Sequence, residues 1–212
     1  MITNSKTMRE SSLFMRNQFE KSGKFEIPQM KKQKIDLKDL KLISYSDTYS
    51  NDNKENQQKG VHFFIDDYKF NNIYTNPEKS FKKLSQYKFL LTPDYSLYSD
   101  MDIWKQIENT GKNRWLGCFW QEKGLKVIPT VSWSTPSSFE FCFDGIKRGS
   151  IVAIGMIGCK KNKSAFMLGY NEMLKRIKPE AIICFGSPFS EMKGKIIPID
   201  YLSSRRVNRY GR

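Results

Sequence analysis

SIVAIGMIGCKKNKSAFMLGYNEMLKRIKPEAIICFG, residues 150–186, holds a complete strand, helix and strand signal and decides the fold class. Its first run, Ser150 to Gly155, and its last, Ala181 to Gly186, have the length and apolar composition of buried strands. Between them Phe166, Met167, Tyr170, Met173, Leu174 and Ile177 fall on one helical face, while Asn171, Glu172, Lys175 and Arg176 fall on the other. Pro179 closes that helix. Two strands separated by a helix make a parallel crossover unit rather than a hairpin.

The same pattern extends in both directions. Leu42 to Asp47, Val61 to Asp67, Tyr87 to Asp94, Lys126 to Ser134 and Lys195 to Asp200 are further short apolar runs, each ending in a polar residue. The steps between successive runs are mostly long enough for helical crossovers. Pro77 to Gln86 opens with proline at a first helical position, and Met101 to Asn109 places Trp104 and Ile107 three apart; both read as crossover helices. Ser50 to Gly60 has no apolar residue and reads as an exposed, mobile loop. The expected fold is α/β, a mostly parallel sheet of about six to seven strands with crossover helices. Lys41 to Asp200 is shorter than the roughly 200–250 residues of eight β/α units. The sheet is therefore expected to be open or a reduced TIM-like barrel. The organisation expected is a basic, polar N-terminal extension (1–33), a single α/β domain (34–200) and a basic C-terminal tail (201–212).

The 212 residues are 39% hydrophobic and 27% charged, which suits a folded domain and excludes a disordered chain. No apolar run approaches the ~20 residues that span a bilayer, and the polar N-terminus lacks an export signal. The expectation is a cytoplasmic protein with no membrane partner. Lys and Arg number 36 against 22 Asp and Glu, giving +14. Such an excess favours polyanions, with nucleic acid first and DNA ahead of RNA. Cys118, Cys142, Cys159 and Cys184 show no zinc spacing, and His62 is the only histidine, so buried free thiols are expected.

In a parallel sheet, functional groups gather at the carboxyl ends of the strands. Asp66, Asp67 and Asp94 lie there, with Glu140 and Asp144 as weaker candidates. Convergent carboxylates would hold Mg2+ for a nuclease or phosphotransferase; the alternative is that they cap turns and loops. Lys160, Lys161 and Lys163 precede the helix of the opening stretch, where an anion would relieve their repulsion from the helix dipole. The spacing of Gly155, Gly158 and Lys163 excludes a Walker loop. Arg114, in KNRWLGCFWQEK, is a candidate phosphate contact, and Trp133, between two serines, a candidate base-stacking residue. Trp115 and Phe119, four apart, suit a helix core instead. Arg205, Arg206 and Arg209 belong to a tail without acids that reads as a phosphate-tracking arm or a solvated terminus.

The strings VHFFIDDYKF, KFLLTPDYSLYSDM, NRWLGCFWQEKGLKVIPTVSWS, SFEFCFDGIKRGSIVAIGMIGC and KPEAIICFG resemble the domain of unknown function 4417 family. The resemblance runs from about Met15 to Asp200, with TPDYS, NRW, VIPTVSWS and FDGI as its specific segments. It implies a phage, prophage or plasmid protein of Gram-positive bacteria and brings no activity to carry over. Three functions follow as expectations. The first is a nucleic-acid-binding protein acting in replication or maintenance of a mobile element. The second is a Mg2+-dependent nuclease or phosphotransferase. The third is a counter-defence protein that captures a host protein or a nucleotide.

Overall fold

The computed structural model describes residues 5–204. Two short helices, α1 (Ser5–Glu10) and α2 (Ser12–Met15), lead into an antiparallel ribbon of β1 (Lys21–Ser22) and β2 (Ile27–Pro28). This stretch joins the body of the fold: Ile27 and Met30 are buried, and Phe19 packs against Trp115.

Seven strands then follow at the seven apolar runs. They are β3 (Leu42–Ser44), β4 (Gly60–His62), β5 (Phe89–Leu91), β6 (Val127–Ile128), β7 (Ile151–Gly155), β8 (Ala181–Phe185) and β9 (Ile196–Ile199). All pair in parallel and in chain order, β3 to β6 in one sheet and β7 to β9 in another. A parallel bridge from Thr130 to Ala153 joins the two sheets. It is flanked by hydrogen bonds from Val131 N–H to the Ala153 carbonyl (2.8 Å) and from Ala153 N–H to the Pro129 carbonyl (2.9 Å). No pairing links β9 to β3 among the described residues, so the sheet is open and not a closed barrel. The 3-10 turn Leu202–Ser204 nevertheless packs on β3.

Strand alternation sorts the core into two faces. Leu42, Leu91, Ile128, Ala153, Ile183 and Ile199 form one inner cluster drawn from both sheets, which curls them around it. The outer residues Ile43, Val61, Leu90 and Val127 pack against α6 (Ile103–Glu122) through Leu116, Phe119 and Trp120. Val152, Ile154 and Ile182 pack against α7 (Lys163–Ile177) through Phe166, Tyr170 and Met173. The smaller helices α3 (Lys54–Gln57), α4 (Asn72–Thr75) and α5 (Pro77–Leu84) complete the crossovers. At the amino ends of the strands, residues 31–40 cross beneath the sheet. Ile35, Leu37 and Leu40 close the inner cluster from below, and Gln33 Oε1 accepts from Val127 N–H at 2.6 Å.

Two elements differ from the sequence expectation. Ser50 to Gly60 is a folded turn around α3, in which buried Asp52 accepts from Tyr87 Oη (2.6 Å) and from Asn56 Nδ2 (3.1 Å). Its polar residues bury because they satisfy one another, which an apolar count does not register. The second is α6, which runs thirteen residues beyond Asn109, to Glu122. Gln106, Asn109, Thr110, Asn113, Arg114 and Gln121 are all buried on it, so polarity does not mark its solvent face.

Arg114 in particular is a structural residue, not a surface phosphate contact. It is 2% exposed, and its guanidinium donates to the carbonyls of Asp144 (3.0 Å), Thr130 (3.0 Å) and Cys142 (2.8 Å) and to Asn113 Oδ1. Burial lowers its pKa to about 10, still far above neutrality, so it remains a cation solvated by carbonyl dipoles. Arg114→Met would strip these buried acceptors of their donor, a loss on the order of 3 kcal/mol. The expected outcome is a fall in Tm of roughly 6–12 °C, and an unchanged melt would refute the structural role.

Candidate functional site

The carboxyl ends of the strands bring together residues from distant parts of the sequence. Asp94 follows β5, Ser132 follows β6, Cys159 follows β7 and Tyr201 follows β9. Asp94 and Ser132 face each other because two reciprocal bonds hold the strand ends: Thr130 N–H donates to Thr92 Oγ1 and Thr130 Oγ1 to the Thr92 carbonyl, both at 2.7 Å. Burial first, and then the negative charge of Asp67, push the Asp94 carboxyl up to about 7, while the Ser132 hydroxyl pulls it back down. Asp94 is therefore poised to exchange a proton near neutral pH.

Asp67 is held by hydrogen bonds. Its carboxylate accepts from Ser96 N–H (3.1 Å) and Ser96 Oγ (2.9 Å), which holds the turn after β5 in place. It also borders a cleft of about 270 Å³ with Asn71, Tyr74, Met101, Lys105 and Lys112. Asp66 is exposed and pairs with Lys69 at 3.1 Å. Among the described residues no three His, Cys, Asp or Glu side chains are placed to hold a metal ion. Asp67 and Asp94 thus influence each other electrostatically, and Asp66 stands apart.

His62 and the cysteines are not arranged for nucleophilic chemistry. His62 is buried against Phe185 (centroids 4.3 Å) and Phe64, and burial lowers its pKa to about 3. Its Nδ1 accepts from Phe64 N–H at 3.2 Å, which leaves Nε2 protonated and the ring neutral. Burial raises Cys159 to about 11 and Cys118, Cys142 and Cys184 to about 12, so all four stay thiols.

Trp133 is turned inward. Its indole packs on Phe166 (5.1 Å) and Phe143 (6.2 Å) and fills the space above Gly169 of α7, where any side chain would collide with it. It docks α7 on the sheet, which accounts for the tryptophan without a stacked base. Lys160 and Lys161 lie in the 3-10 turn Cys159–Asn162, exposed and without an ion pair among the described residues. Lys163, in the first turn of α7, pairs with Glu191. Glu140 is exposed, and Asp144 is partly buried, with its pKa raised by burial. Arg205, Arg206 and Arg209 lie outside the described residues. Sequence reading missed Ser132 and Cys159 as neighbours of Asp94; their position just past successive strands was the available signal.

The sequence model of the family described as Domain of unknown function (DUF4417) matches residues 19–202. The chain belongs to that family. Among similar proteins, the Gene 1 protein of Mycobacterium phage L5 is 36% identical over 177 residues, covering 82% of this chain and 76% of that protein. The Gene 1 protein of Mycobacterium phage D29 is 39% identical over 129 residues, covering 59% of this chain and 48% of that protein. No solved structure matches the chain. The family resemblance read from TPDYS and its companion strings therefore holds, and phages carry its members. Among the described residues no helix is long and apolar enough to cross a membrane.

The Asp94 environment gives a signed pH dependence. An aspartate titrating at about 7 in the fold, against roughly 4 in the unfolded chain, binds the extra proton only in the folded state between those values. Stability therefore falls as pH rises through that window. Thermal melts from pH 4 to 8 should show the wild type losing Tm relative to Asp94→Asn, whose residue 94 cannot ionise. Parallel curves for the two proteins would refute the raised pKa.

Proposed function

We propose that this phage-family protein binds nucleic acid inside the host cell, duplex DNA ahead of RNA, and serves replication or maintenance of the element that encodes it. The observation that carries this reading is that much of the positive excess is displayed without a counter-charge. Lys160 and Lys161 on the carboxyl-end rim, and further lysines elsewhere on the surface, are exposed and form no ion pair among the described residues. A chain of +14 that leaves cations open in this way raises its own electrostatic self-energy and lowers it on meeting a polyanion. The phage relatives supply a setting in which nucleic acid is the abundant polyanion.

A second reading has one observation in its favour. Asp94 and Asp67 repel each other closely enough to raise Asp94, and Mg2+ is often held by only one or two carboxylates together with substrate phosphates. A metal-assisted nuclease would then rest on these two aspartates, without Asp66.

Both readings meet in one measurement: anisotropy of labelled single-stranded DNA, duplex DNA and RNA across a salt series, with and without Mg2+, followed by a check for cleavage. Binding at micromolar protein with a log–log salt slope of several units is expected, since each phosphate contact contributes about −0.9. Mg2+-dependent cleavage that Asp94→Asn abolishes would establish the second reading. If no probe binds at low salt, the charge reading fails and capture of a host protein takes its place.

A further inference from the structure

We infer that the surface that takes the nucleic-acid backbone is the amino-end face of the sheet, opposite the acidic mouth, and that it grips duplex DNA through phosphates alone. This rests on the nucleic-acid reading above and specifies where and how it operates.

Cations recur along the chain just ahead of the strands. Lys41, Lys88, Lys126 and Lys195 stand immediately before β3, β5, β6 and β9. Arg148 and Lys178 stand three residues before β7 and β8. All six are exposed, and none forms an ion pair among the described residues. Lys59, before β4, is the exception: it is 3% exposed and does not share the surface. Because β3 to β9 are all parallel and the two sheets are bridged in the same direction, their starts lie side by side on one face. Neighbouring strands are about 4.8 Å apart. The cations thus gather along the rim of one face, where they meet the dense charge of duplex DNA, one phosphate per ~1.7 Å of axis.

Helix dipoles do not account for this row. The same face receives the carboxyl ends of α5 and α7, and Lys82, Lys83, Lys175 and Arg176 already occupy their last turns. The strand-start cations lie beyond those turns and add like charge to a face that has its complement. Repulsion within such a row is relieved by a polyanion spanning it.

The rest of the face selects the ligand class. Residues 31–40 cover it, with Ile35, Leu37 and Leu40 packed upward into the inner cluster, so what it presents is a surface rather than an opening into that cluster. That crossing adds exposed Lys31, Lys34 and Lys38 against exposed Asp36 and Asp39, a further small positive excess. One aromatic, Tyr49, is exposed on the segments that lead into the strands, with its N–H donating to Tyr87 Oη at 3.2 Å; Tyr87 itself, next to Lys88, is buried. The exposed Tyr68, Tyr98, Trp104 and Tyr201 belong to segments that leave the carboxyl ends. Single-strand binders stack bases on aromatic platforms in their basic groove. A basic face with a single exposed tyrosine has no run of rings on which successive bases could stack, so it contacts phosphate, the requirement for a duplex read without sequence preference.

The test uses the full chain with labelled 20-base-pair duplex and single-stranded DNA of the same length. An amino-end variant combines Lys41→Gln, Lys88→Gln, Lys126→Gln and Lys195→Gln; a rim variant combines Lys160→Gln and Lys161→Gln. The amino-end variant should lose at least tenfold in duplex affinity near 0.1 M salt, with a salt slope about three units shallower, and the rim variant should change by less than threefold. Lysine acetylation of the unmodified protein, read by mass spectrometry, gives an answer independent of folding: duplex should protect Lys88, Lys126 and Lys178 and leave Lys160 and Lys161 reactive. If the wild type binds duplex but the rim variant alone loses affinity, or Lys160 and Lys161 alone are protected, the face is wrong and the nucleic-acid reading stands. Preference for single strand over duplex overturns the phosphate-only mode. A wild type that binds neither probe overturns the nucleic-acid reading and this inference together.

Discussion

The fold depends on a cation held in its interior by peptide carbonyls. Arg114 and Asn113, adjacent on α6, reach three separate pieces of irregular backbone: the turn after β5 through Pro93, the end of β6 through Thr130, and the Phe141 to Gly145 stretch through Cys142 and Asp144. Segments leaving a sheet have no ladder to satisfy their carbonyls, and burying them unsatisfied is costly. One guanidinium and one amide answer that need for the whole carboxyl end between β5 and β7. The Asp94 and Ser132 pairing exists because this anchorage, together with the reciprocal Thr92 and Thr130 bonds, fixes both strand ends at once.

Curling around a single inner cluster also gives the molecule two unlike ends. The carboxyl end gathers carboxylates, a serine, a thiol and aromatic rings. The amino end is sealed by a strap of chain and edged with cations. A doubly wound sheet would have covered both faces with helices and placed a crevice where the strand order reverses. Here the order never reverses, the helices stay outside, and the two ends are the parts that the helices leave uncovered.

Much of this architecture was legible in the sequence, and the parts that were not share a cause. All seven strands appear where apolar runs end in polar residues, and α7 matches its stripe of Phe166, Tyr170, Met173 and Ile177, because burial there is apolar and periodic. The length of α6 was hidden because its buried face includes Gln106, Asn109, Asn113 and Arg114, residues that a hydrophobicity pattern assigns to solvent. The same blindness made Arg114 look like a surface contact and Ser50 to Gly60 like an exposed loop. Trp133 misled in the opposite sense: its flanking serines suggested exposure, whereas the absent side chain at Gly169 makes room for its ring. Side-chain satisfaction across 30 or so residues of separation, as between Arg114 and Asp144, is invisible to any local window.

The strap beneath the sheet bears on how the chain reaches this state. Successive strands pair with their neighbours in sequence, so each one has its template as soon as it is made. The strap has no such advantage. Its bonds from Lys31 to Gln121 and from Gln33 to Val127 join residues 90 and 94 positions apart. Loop closure over such distances costs more entropy than any single strand addition. On a ribosome, the strap emerges before the strands it seals and has to wait until β6 has been synthesised, so a part made early is among the later parts to find its place.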